Sequence, residues 1–216
     1  MRARSASADR CFTFAKPDGG FWHGSMRISG GVARGIPLMA PKGDAVRPAT
    51  DGLRQAVFSS LAARVPGARF ADLFAGSGAY GLEALSRGAM GGEWVEQSVR
   101  AALCLRRNLG AVCKSLGRDE RDLTVREMDA LAWRPEAGAE PDLVFIDPPY
   151  ELITEVAPKI FLRLTDILAA KPDALVVFEL PGEITLQPPG WTCLKRLGGK
   201  GAHQPTVCIF RREQCA

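Results

Sequence analysis

Residues 72–81 read DLFAGSGAYG, and this stretch decides the fold of the chain. Residues 70–74, FADLF, predict a strand, and Gly76, Gly78 and Gly81 follow it with G-x-G-x-x-G spacing. Such glycines permit a tight turn and let a ligand approach the backbone where a Cβ would block it. Residues 82–87 then continue as a helix. A strand, a glycine turn and a helix in this order predict a nucleotide-binding α/β fold.

A second strand is predicted at residues 92–96, GEWVE, and it ends in an acid. Glu96 lies roughly twenty residues beyond the glycine turn, where a carboxylate that binds ribose hydroxyls is expected. The glycine spacing alone does not choose between cofactors, so a dinucleotide site stays open at this point.

The third informative stretch is residues 143–150, LVFIDPPY. Its apolar half predicts a buried strand, which the two prolines stop. They leave the Asp147 carboxylate, carbonyls without ladder partners and the Tyr150 ring at the carboxyl edge of the sheet, where ligands bind in open α/β folds. An acceptor-rich turn with one flat ring suits a flat, amino-bearing substrate such as a nucleobase, and it has no evident use in a dehydrogenase.

Strands and helices alternate through most of the sequence, which predicts an α/β class with a doubly wound, mostly parallel sheet. A helix is predicted from Asp51, and residues 191–197 and 206–211 predict a C-terminal antiparallel hairpin. The other strands are expected near 69–74, 92–97, 123–128, 142–147 and 174–180, and the other helices near 80–88, 98–115 and 151–170.

The composition of the 216 residues, 46% hydrophobic and 24% charged, is that of a folded domain of ordinary size. No stretch approaches the about eighteen apolar residues of a membrane helix, and the N-terminus lacks the apolar core of a secretory signal. The six cysteines form no C-x-x-C pair and only two histidines exist. We therefore expect a cytoplasmic protein with reduced thiols, no metal and no membrane association.

Positive charge is concentrated at the N-terminus. Residues 1–54 hold nine Lys/Arg and four Asp/Glu, a net of +5, whereas the whole chain carries +4. This asymmetry predicts a basic segment that meets a polyanion, with a solvated, partly disordered tail as the alternative. Residues 1–25 show no sustained period and predict a disordered extension.

The combined pattern resembles the class I (Rossmann-like) S-adenosylmethionine-dependent methyltransferases, and most closely the RsmD family. That family methylates the exocyclic N2 of a guanine in 16S ribosomal RNA of the small subunit. The matching stretches are MRISGG at 26–31 with Arg34 and Gly35, RPATD at 47–51 leading to Arg54, DLFAGSG at 72–78, GLEALSRGA at 81–89, and DPPY at 147–150.

The resemblance implies S-adenosylmethionine as cofactor, bound by a domain at 65–216. Its methionyl part would lie over the glycine turn, with Asp72 near its amino group, and Glu96 would bind the ribose. Asp129 would read the adenine amino group beside Ala130; the alternative for Asp129 is a helix N-cap for 131–133. The remaining cofactor-binding residues of the turn are Phe74, Gly76, Ser77 and Gly78.

The same resemblance implies catalytic roles for the DPPY turn: Asp147 and the Pro148 carbonyl would accept the N–H bonds of the amine, Pro149 would shape the turn, and Tyr150 would stack on the base. The arm and helix at 26–64 would bind RNA. Its candidate phosphate contacts are Arg27, Arg34, Arg47 and Arg54; for the last two, an intramolecular ion pair with Asp51 or another acid is the alternative.

The leading hypothesis is therefore a ribosomal RNA (guanine-N2)-methyltransferase that acts on ribosomal RNA or a partly assembled small subunit. One rival is a DNA adenine-N6 methyltransferase, although the chain has no room for a target-recognition insertion. Another is a non-catalytic RNA-binding module of ribosome assembly.

Overall fold

Short apolar strands alternate with helices along this chain, and a computed structural model of residues 26–40, 51–202 and 204–213 shows how they assemble. In chain order the elements are α1 (Asp51–Ser60), β1 (Arg69–Leu73), α2 (Ala79–Ser86), β2 (Gly91–Val95), α3 (Val99–Leu116), β3 (Leu123–Arg126), β4 (Leu143–Ile146), a short 3-10 turn (Tyr150–Leu152), α4 (Ile153–Ile167), β5 (Leu175–Pro181), β6 (Trp191–Gly198) and β7 (Pro205–Arg212).

The strands of the described part form a seven-stranded sheet in the order β3-β2-β1-β4-β5-β7-β6. The pairings β2–β3, β1–β2, β1–β4 and β4–β5 are parallel, and β7 runs antiparallel to both β5 and β6. The predicted fold class and the C-terminal hairpin are therefore confirmed. Strand order reverses between β1 and β4, so the crevice outside their carboxyl ends is the expected ligand site.

Side chains alternate between two hydrophobic layers on the two faces of the sheet. From β4, Phe145 joins the layer that contains α1, α2 and α3, whereas Val144 and Ile146 join the layer that contains α4. All four residues of β4 are buried, as expected for a parallel strand covered on both faces.

The N-terminal segment 26–40 packs into the first of these layers. An antiparallel bridge joins Arg27 and Pro37, and Ile28 and Leu38 are buried with Phe58 of α1 in the cluster that includes Phe145. The predicted division at residue 65 stays a prediction, and the parts on either side of it share this hydrophobic cluster. The predicted extension at 1–25 lies outside the described residues.

No helix in the described part of the chain combines the length and the apolar character that crossing a bilayer requires.

Candidate active site at the carboxyl edge of the sheet

The turn after β1 depends on left-handed backbone at three positions. Phe74 has a φ of 61°, and Gly76 and Gly78 have φ values of 53° and 81°. Glycine adopts this region freely, whereas Phe74 is the only non-glycine residue with a positive φ in the described part of the chain. Strain of this kind persists only where the surroundings impose it, and it concentrates at functional sites.

Two glycines of the motif serve different purposes. A Cβ on Gly76 would meet nothing within 4 Å, so the turn is open on that side. A Cβ on Gly81 would collide with Trp94 and Phe70, because α2 packs tightly against β1 and β2 there. Gly76 therefore leaves room for a ligand, and Gly81 permits the packing that holds the turn in place.

Glu96 is held beside the open side of the turn. Its Oε2 accepts a hydrogen bond from the Gly76 N–H at 2.8 Å, and its Oε1 accepts one from the Ser98 N–H at 2.7 Å. A carboxylate oxygen has more than one acceptor site, so both oxygens can still accept from a diol. This geometry suits the predicted ribose contact, which stays a prediction.

Asp72 lies beneath the same turn and is only 2% exposed. It accepts a hydrogen bond from the Gly81 N–H at 2.9 Å, near the start of α2. Burial raises the pKa of this carboxyl well above its usual value, and the charges of Asp147 and Glu96 raise it further. Three carboxyls, those of Asp72, Asp147 and Glu96, therefore interact at this edge, and a cationic group such as an ammonium placed beside them would favour their ionised forms.

Segment 26–40 lies against the outer side of the glycine turn. The Asn108 amide of α3 donates to the Ser77 carbonyl at 2.9 Å and also pairs with the backbone of Met39, at 2.8 and 2.9 Å. The Ser77 hydroxyl contacts the Met26 sulfur at 3.8 Å. The turn is therefore fixed from this side as well. Asn108 was not predicted from the sequence, and a lone polar residue on the apolar face of α3 was the available signal.

The DPPY turn lies next to the glycine turn. The Asp147 N–H donates to the Leu73 carbonyl at 3.4 Å, so the end of β4 meets β1 directly before Phe74. Burial raises the pKa of Asp147 to about 7. Burial also raises the pKa of Tyr150, with further contributions from the charges of Glu179 and Asp147. Pro148 is buried and Pro149 is half-buried, so the turn is firmly packed.

Glu179 of β5 completes the acidic cluster, and it was not predicted from the sequence. The side chain is 1% exposed, and its Oε2 accepts a hydrogen bond from the Tyr80 hydroxyl at 2.7 Å. Tyr80 in turn stacks on Phe145, with ring centroids 5.4 Å apart. A charged residue inside an otherwise apolar strand was the signal that could have found Glu179.

Asp129 makes local contacts in this structure. Its Oδ1 accepts from the Leu131 N–H at 2.9 Å, and its carbonyl accepts from the Ala132 N–H at 3.0 Å. The alternative of a helix N-cap is wrong, because residues 130–132 form a turn and not a helix. Asp129 is exposed while Ala130 is buried, and their contact with an adenine stays a prediction.

Of the candidate phosphate contacts that the structure describes, Arg27 and Arg34 are accessible. The Arg27 side chain is 61% exposed and lies 3.4 Å from Asp51, and Arg34 is exposed. Arg47 lies outside the described residues. Arg27 and Arg34 thus stay candidates for phosphate binding.

Arg54 requires a correction, since its side chain is 1% exposed and cannot reach a phosphate. Its Nη2 donates to Asp51 Oδ1 at 2.7 Å and to the Arg27 carbonyl at 2.5 Å, and its Nε lies 3.5 Å from Glu83 Oε2. The alternative of an intramolecular pair with Asp51 is therefore confirmed. Position in a basic stretch suggested a surface role, but the helix turns this residue toward the core.

Glu83 of α2 joins the N-terminal segment to the core. Its two oxygens accept from the Ser29 N–H at 2.7 Å and the Ser29 hydroxyl at 2.8 Å, and it pairs with Arg87 at 2.8 Å. Ser86 adds bonds to the backbone of residues 30–33, at 2.6 to 2.9 Å. The start of the predicted RNA-binding arm is thus fastened to the helix that follows the glycine turn.

Within the described ranges, no three His, Cys, Asp or Glu side chains are grouped in a way that could hold a metal ion.

Known proteins resemble this chain in sequence and in structure over most of its length. The family model described as Conserved hypothetical protein 95 matches residues 26–208. The chain is 37% identical over 192 residues to Ribosomal RNA small subunit methyltransferase D of Escherichia coli strain K12, covering 88% of this chain and 91% of that protein. It is 31% identical over 173 residues to the protein of the same name from Haemophilus influenzae strain Rd, covering 80% and 88%. The solved structure of yhhF from Escherichia coli superposes with a TM-score of 0.70 at 32% identity, covering 88% and 99%.

Proposed function

This chain belongs to the Conserved hypothetical protein 95 family, the RsmD methyltransferases, and on that premise we propose that it transfers a methyl group from S-adenosylmethionine to the exocyclic N2 of a guanine in 16S ribosomal RNA. Two relatives that it matches over most of their length are named as methyltransferases of the small-subunit ribosomal RNA. The proposal takes its substrate from them and its chemistry from the site.

One observation carries the proposal: the hydrogen bond from the Asp147 N–H to the Leu73 carbonyl. This bond joins the DPPY turn, which suits an amine, to the end of β1. The glycine turn that follows β1 suits a nucleotide-like ligand. The methyl donor and the amine that accepts the methyl group would therefore meet without any large movement of the chain. Direct transfer requires this arrangement.

The chain offers a coherent set of groups for S-adenosylmethionine. The open side of Gly76 would leave room for its methionyl part, and Glu96 would accept hydrogen bonds from its ribose. The Asp72 carboxyl would lie near its ammonium group, whose positive charge favours the ionised carboxylate. When bound, the cofactor would supply a methyl group whose carbon is electrophilic, because it is bonded to a positively charged sulfur.

The DPPY turn would prepare the acceptor. An aromatic amine is a poor nucleophile because its lone pair is delocalised into the ring. Acceptors at Asp147 and the Pro148 carbonyl would hold the two N–H bonds and orient the nitrogen. Because these acceptors are already in place before the reaction, they would favour the transition state. Tyr150 would stack on the base, a contact worth about 1–3 kcal/mol in comparable sites.

The reaction forms a nitrogen–carbon bond and breaks a sulfur–carbon bond, whose electron pair stays on sulfur. The nitrogen then carries one proton too many, and the nearest acceptor is the Asp147 carboxylate. A strong base is unnecessary, because the methylated amine is acidic before it loses this proton.

RNA would be held through its phosphates by exposed basic residues of the N-terminal segment. Arg27 and Arg34 are accessible, and Arg47, outside the described residues, belongs to the same proposal. Such contacts position the nucleic acid without reading its sequence.

The test is transfer of labelled methyl from S-adenosylmethionine to unmodified small-subunit particles, naked ribosomal RNA and duplex DNA, followed by nucleoside analysis. N2-methylguanosine in either RNA sample supports the proposal, and the better substrate identifies the assembly state that is recognised. N6-methyladenine in DNA would move the protein to the rival enzyme class. RNA binding without transfer to any of the three would support the non-catalytic module.

A further inference from the structure

Glu179 and Asp147 follow neighbouring parallel strands at the same level of the sheet. Ile146 of β4 pairs with Phe178 of β5, so the next residue on each strand is Asp147 and Glu179, respectively. Neighbouring strands lie about 4.8 Å apart. Because Ile146 and Phe178 both face the α4 layer, alternation turns both carboxyls toward the opposite layer, where Phe145 and Val177 are buried.

One oxygen of Glu179 has a partner and the other does not. Oε2 accepts from the Tyr80 hydroxyl at 2.7 Å, whereas Oε1 is buried and has no hydrogen-bond partner among the described residues. An unpartnered ionised oxygen in a buried site is costly, and native structures rarely tolerate one. A proton on Oε1 removes the charge and turns this oxygen into a donor.

The surrounding charges favour that proton. The groups that act on Glu179 are the Asp147 carboxyl, the Tyr80 hydroxyl and the Arg54 guanidinium, and Glu179 in turn acts on Tyr150. Burial raises the pKa of Glu179 well above its usual value, Asp147 raises it further, and Tyr80 and Arg54 oppose the rise. Arg54 is already engaged by Asp51 and Glu83. The Asp147 side chain is half-buried beside the buried Glu179, and close packing of two such carboxyls disfavours ionisation of both at once.

We infer that Glu179 is a positioning residue for Asp147: it keeps a proton on Oε1 and donates it as a hydrogen bond to the Asp147 carboxylate, while Tyr80 holds its other oxygen. This inference deepens the proposed function and rests on it for the role of Asp147. One Asp147 oxygen is then fixed by Glu179, and the other is free for the substrate amine.

The proton of the reaction takes a simple path in this arrangement. It passes from the methylated nitrogen to the free oxygen of Asp147 and then to solvent, while Glu179 keeps its own proton throughout. Glu179 thus holds Asp147 in the ionised, correctly oriented form and touches neither the substrate nor the cofactor.

The first test needs no RNA: carboxyl carbon NMR titrations of the substrate-free protein. We expect Asp147 to titrate near pH 7 and Glu179 to titrate well above the usual range of a glutamate. Glu179→Gln retains a donor, so the Asp147 midpoint should stay within about half a pH unit, whereas Glu179→Ala removes the donor and should raise that midpoint by about one unit. A Glu179 that titrates near its usual value of about 4.3, or an unchanged Asp147 in Glu179→Ala, would overturn the inference.

The second test uses methyl-transfer kinetics to distinguish two roles of Glu179. Either it positions Asp147 as a hydrogen-bond donor, or it accepts the proton released in the reaction. Glu179→Ala should lower kcat on the order of 10–100-fold with little change in the KM for S-adenosylmethionine, and Glu179→Gln should stay within about threefold of the wild type. Equal losses in both variants, with melting temperatures showing both folded, would overturn the donor role. Glu120→Gln, which changes an exposed acid just before β3 at the amino edge of the sheet, is the matched control. A wild type without activity on any RNA would refute the proposed function and leave the titrations interpretable.

Discussion

The Gly76 N–H donates a 2.8 Å hydrogen bond to Glu96 Oε2, so the glycine turn after β1 is fastened to the end of β2. The residue expected to bind the ribose is therefore also part of what shapes the turn. Loss of the Glu96 charge should weaken cofactor binding more than it lowers the stability of the fold, because α2 and Asn108 also hold the turn in place.

Glu96→Gln should weaken S-adenosylmethionine binding about 10–100-fold, because hydrogen bonds to a charged acceptor are worth about 1.5–3 kcal/mol and the substituted amide accepts through one oxygen only. Isothermal titration calorimetry measures the change in Kd. Glu120→Gln changes an exposed acid at the amino edge of the sheet and should leave Kd unchanged. The same Kd in both variants would show that Glu96 is not a cofactor ligand.

Asp147→Ala should lower the transfer rate by at least about 10²-fold, since it removes a preorganised acceptor at the reacting amine. Binding of S-adenosylmethionine should stay within a few-fold of the wild type, because Asp147 is assigned to the acceptor and not to the cofactor. Single-turnover transfer and calorimetry on the same preparation measure the two effects. Loss of cofactor binding in this variant would mean that Asp147 has the wrong role.

The rate of transfer should depend on pH through the ionisation of Asp147. Its pKa is raised to about 7 by burial, and the ionised form is the one that accepts from the amine. The single-turnover rate should therefore rise about tenfold per pH unit below pH 7 and level off above it. A rate that is flat from pH 5.5 to pH 8.5 would show that the charge of Asp147 is not required.

Asp147→Asn should stabilise the fold at high pH. The folded pKa, about 7, lies above the unfolded value, about 3.9, so between these values the unfolded chain binds fewer protons and wild-type stability falls as pH rises. The variant does not show this fall. Its melting temperature should exceed that of the wild type by a few degrees at pH 8 and match it near pH 4. Equal differences at both pH values would contradict the assignment.

Arg54→Met should destabilise the protein by about 3–5 kcal/mol, because it leaves the buried Glu83 carboxylate with one cation fewer. Arg34→Met, at an exposed position of the N-terminal segment, should change stability by less than about 0.5 kcal/mol. Urea denaturation of both variants gives the comparison. Similar small effects would mean that the buried network contributes little to folding.

Arg27→Glu with Arg34→Glu should weaken RNA binding and make it less sensitive to salt, by about one unit of log–log slope for each phosphate that is no longer neutralised. The control is Arg118→Glu with Arg121→Glu, which changes the charge equally just before β3, near the amino edge of the sheet. Binding measured by filter retention at several salt concentrations tests this. Equally weakened binding in both double variants would indicate non-specific attraction and not an RNA-binding surface.

The sequence predicted those parts of the site that depend on local pattern. The glycine turn, the acid at the end of β2 and Asp147 all follow directly from a strand and its terminating residues, and parallel strands bring such ends to one edge. The hairpin of β6 and β7 was predictable for a similar reason, since two strand-like segments flank a glycine-rich turn.

Interactions between distant elements were not predictable in this way. Arg54 lies in a basic stretch, and its burial depends on Glu83, which comes from another helix. Glu179 interacts with Tyr80 only because β5 lies next to β4 in the final order of the sheet. The positive φ of Phe74 likewise depends on the packing around the turn and not on the residue type.

The bonds from Ser29 to Glu83 restrict how this enzyme can be re-engineered or diversify. An N-terminal segment grafted from an unrelated protein would leave Glu83 and Ser86 without their partners, so this segment cannot be exchanged independently of α2. Arg27 and Arg34 project from the same short stretch and can be replaced without touching that anchor. The strength of any phosphate contact can therefore change at these two positions while the attachment of the segment stays constant.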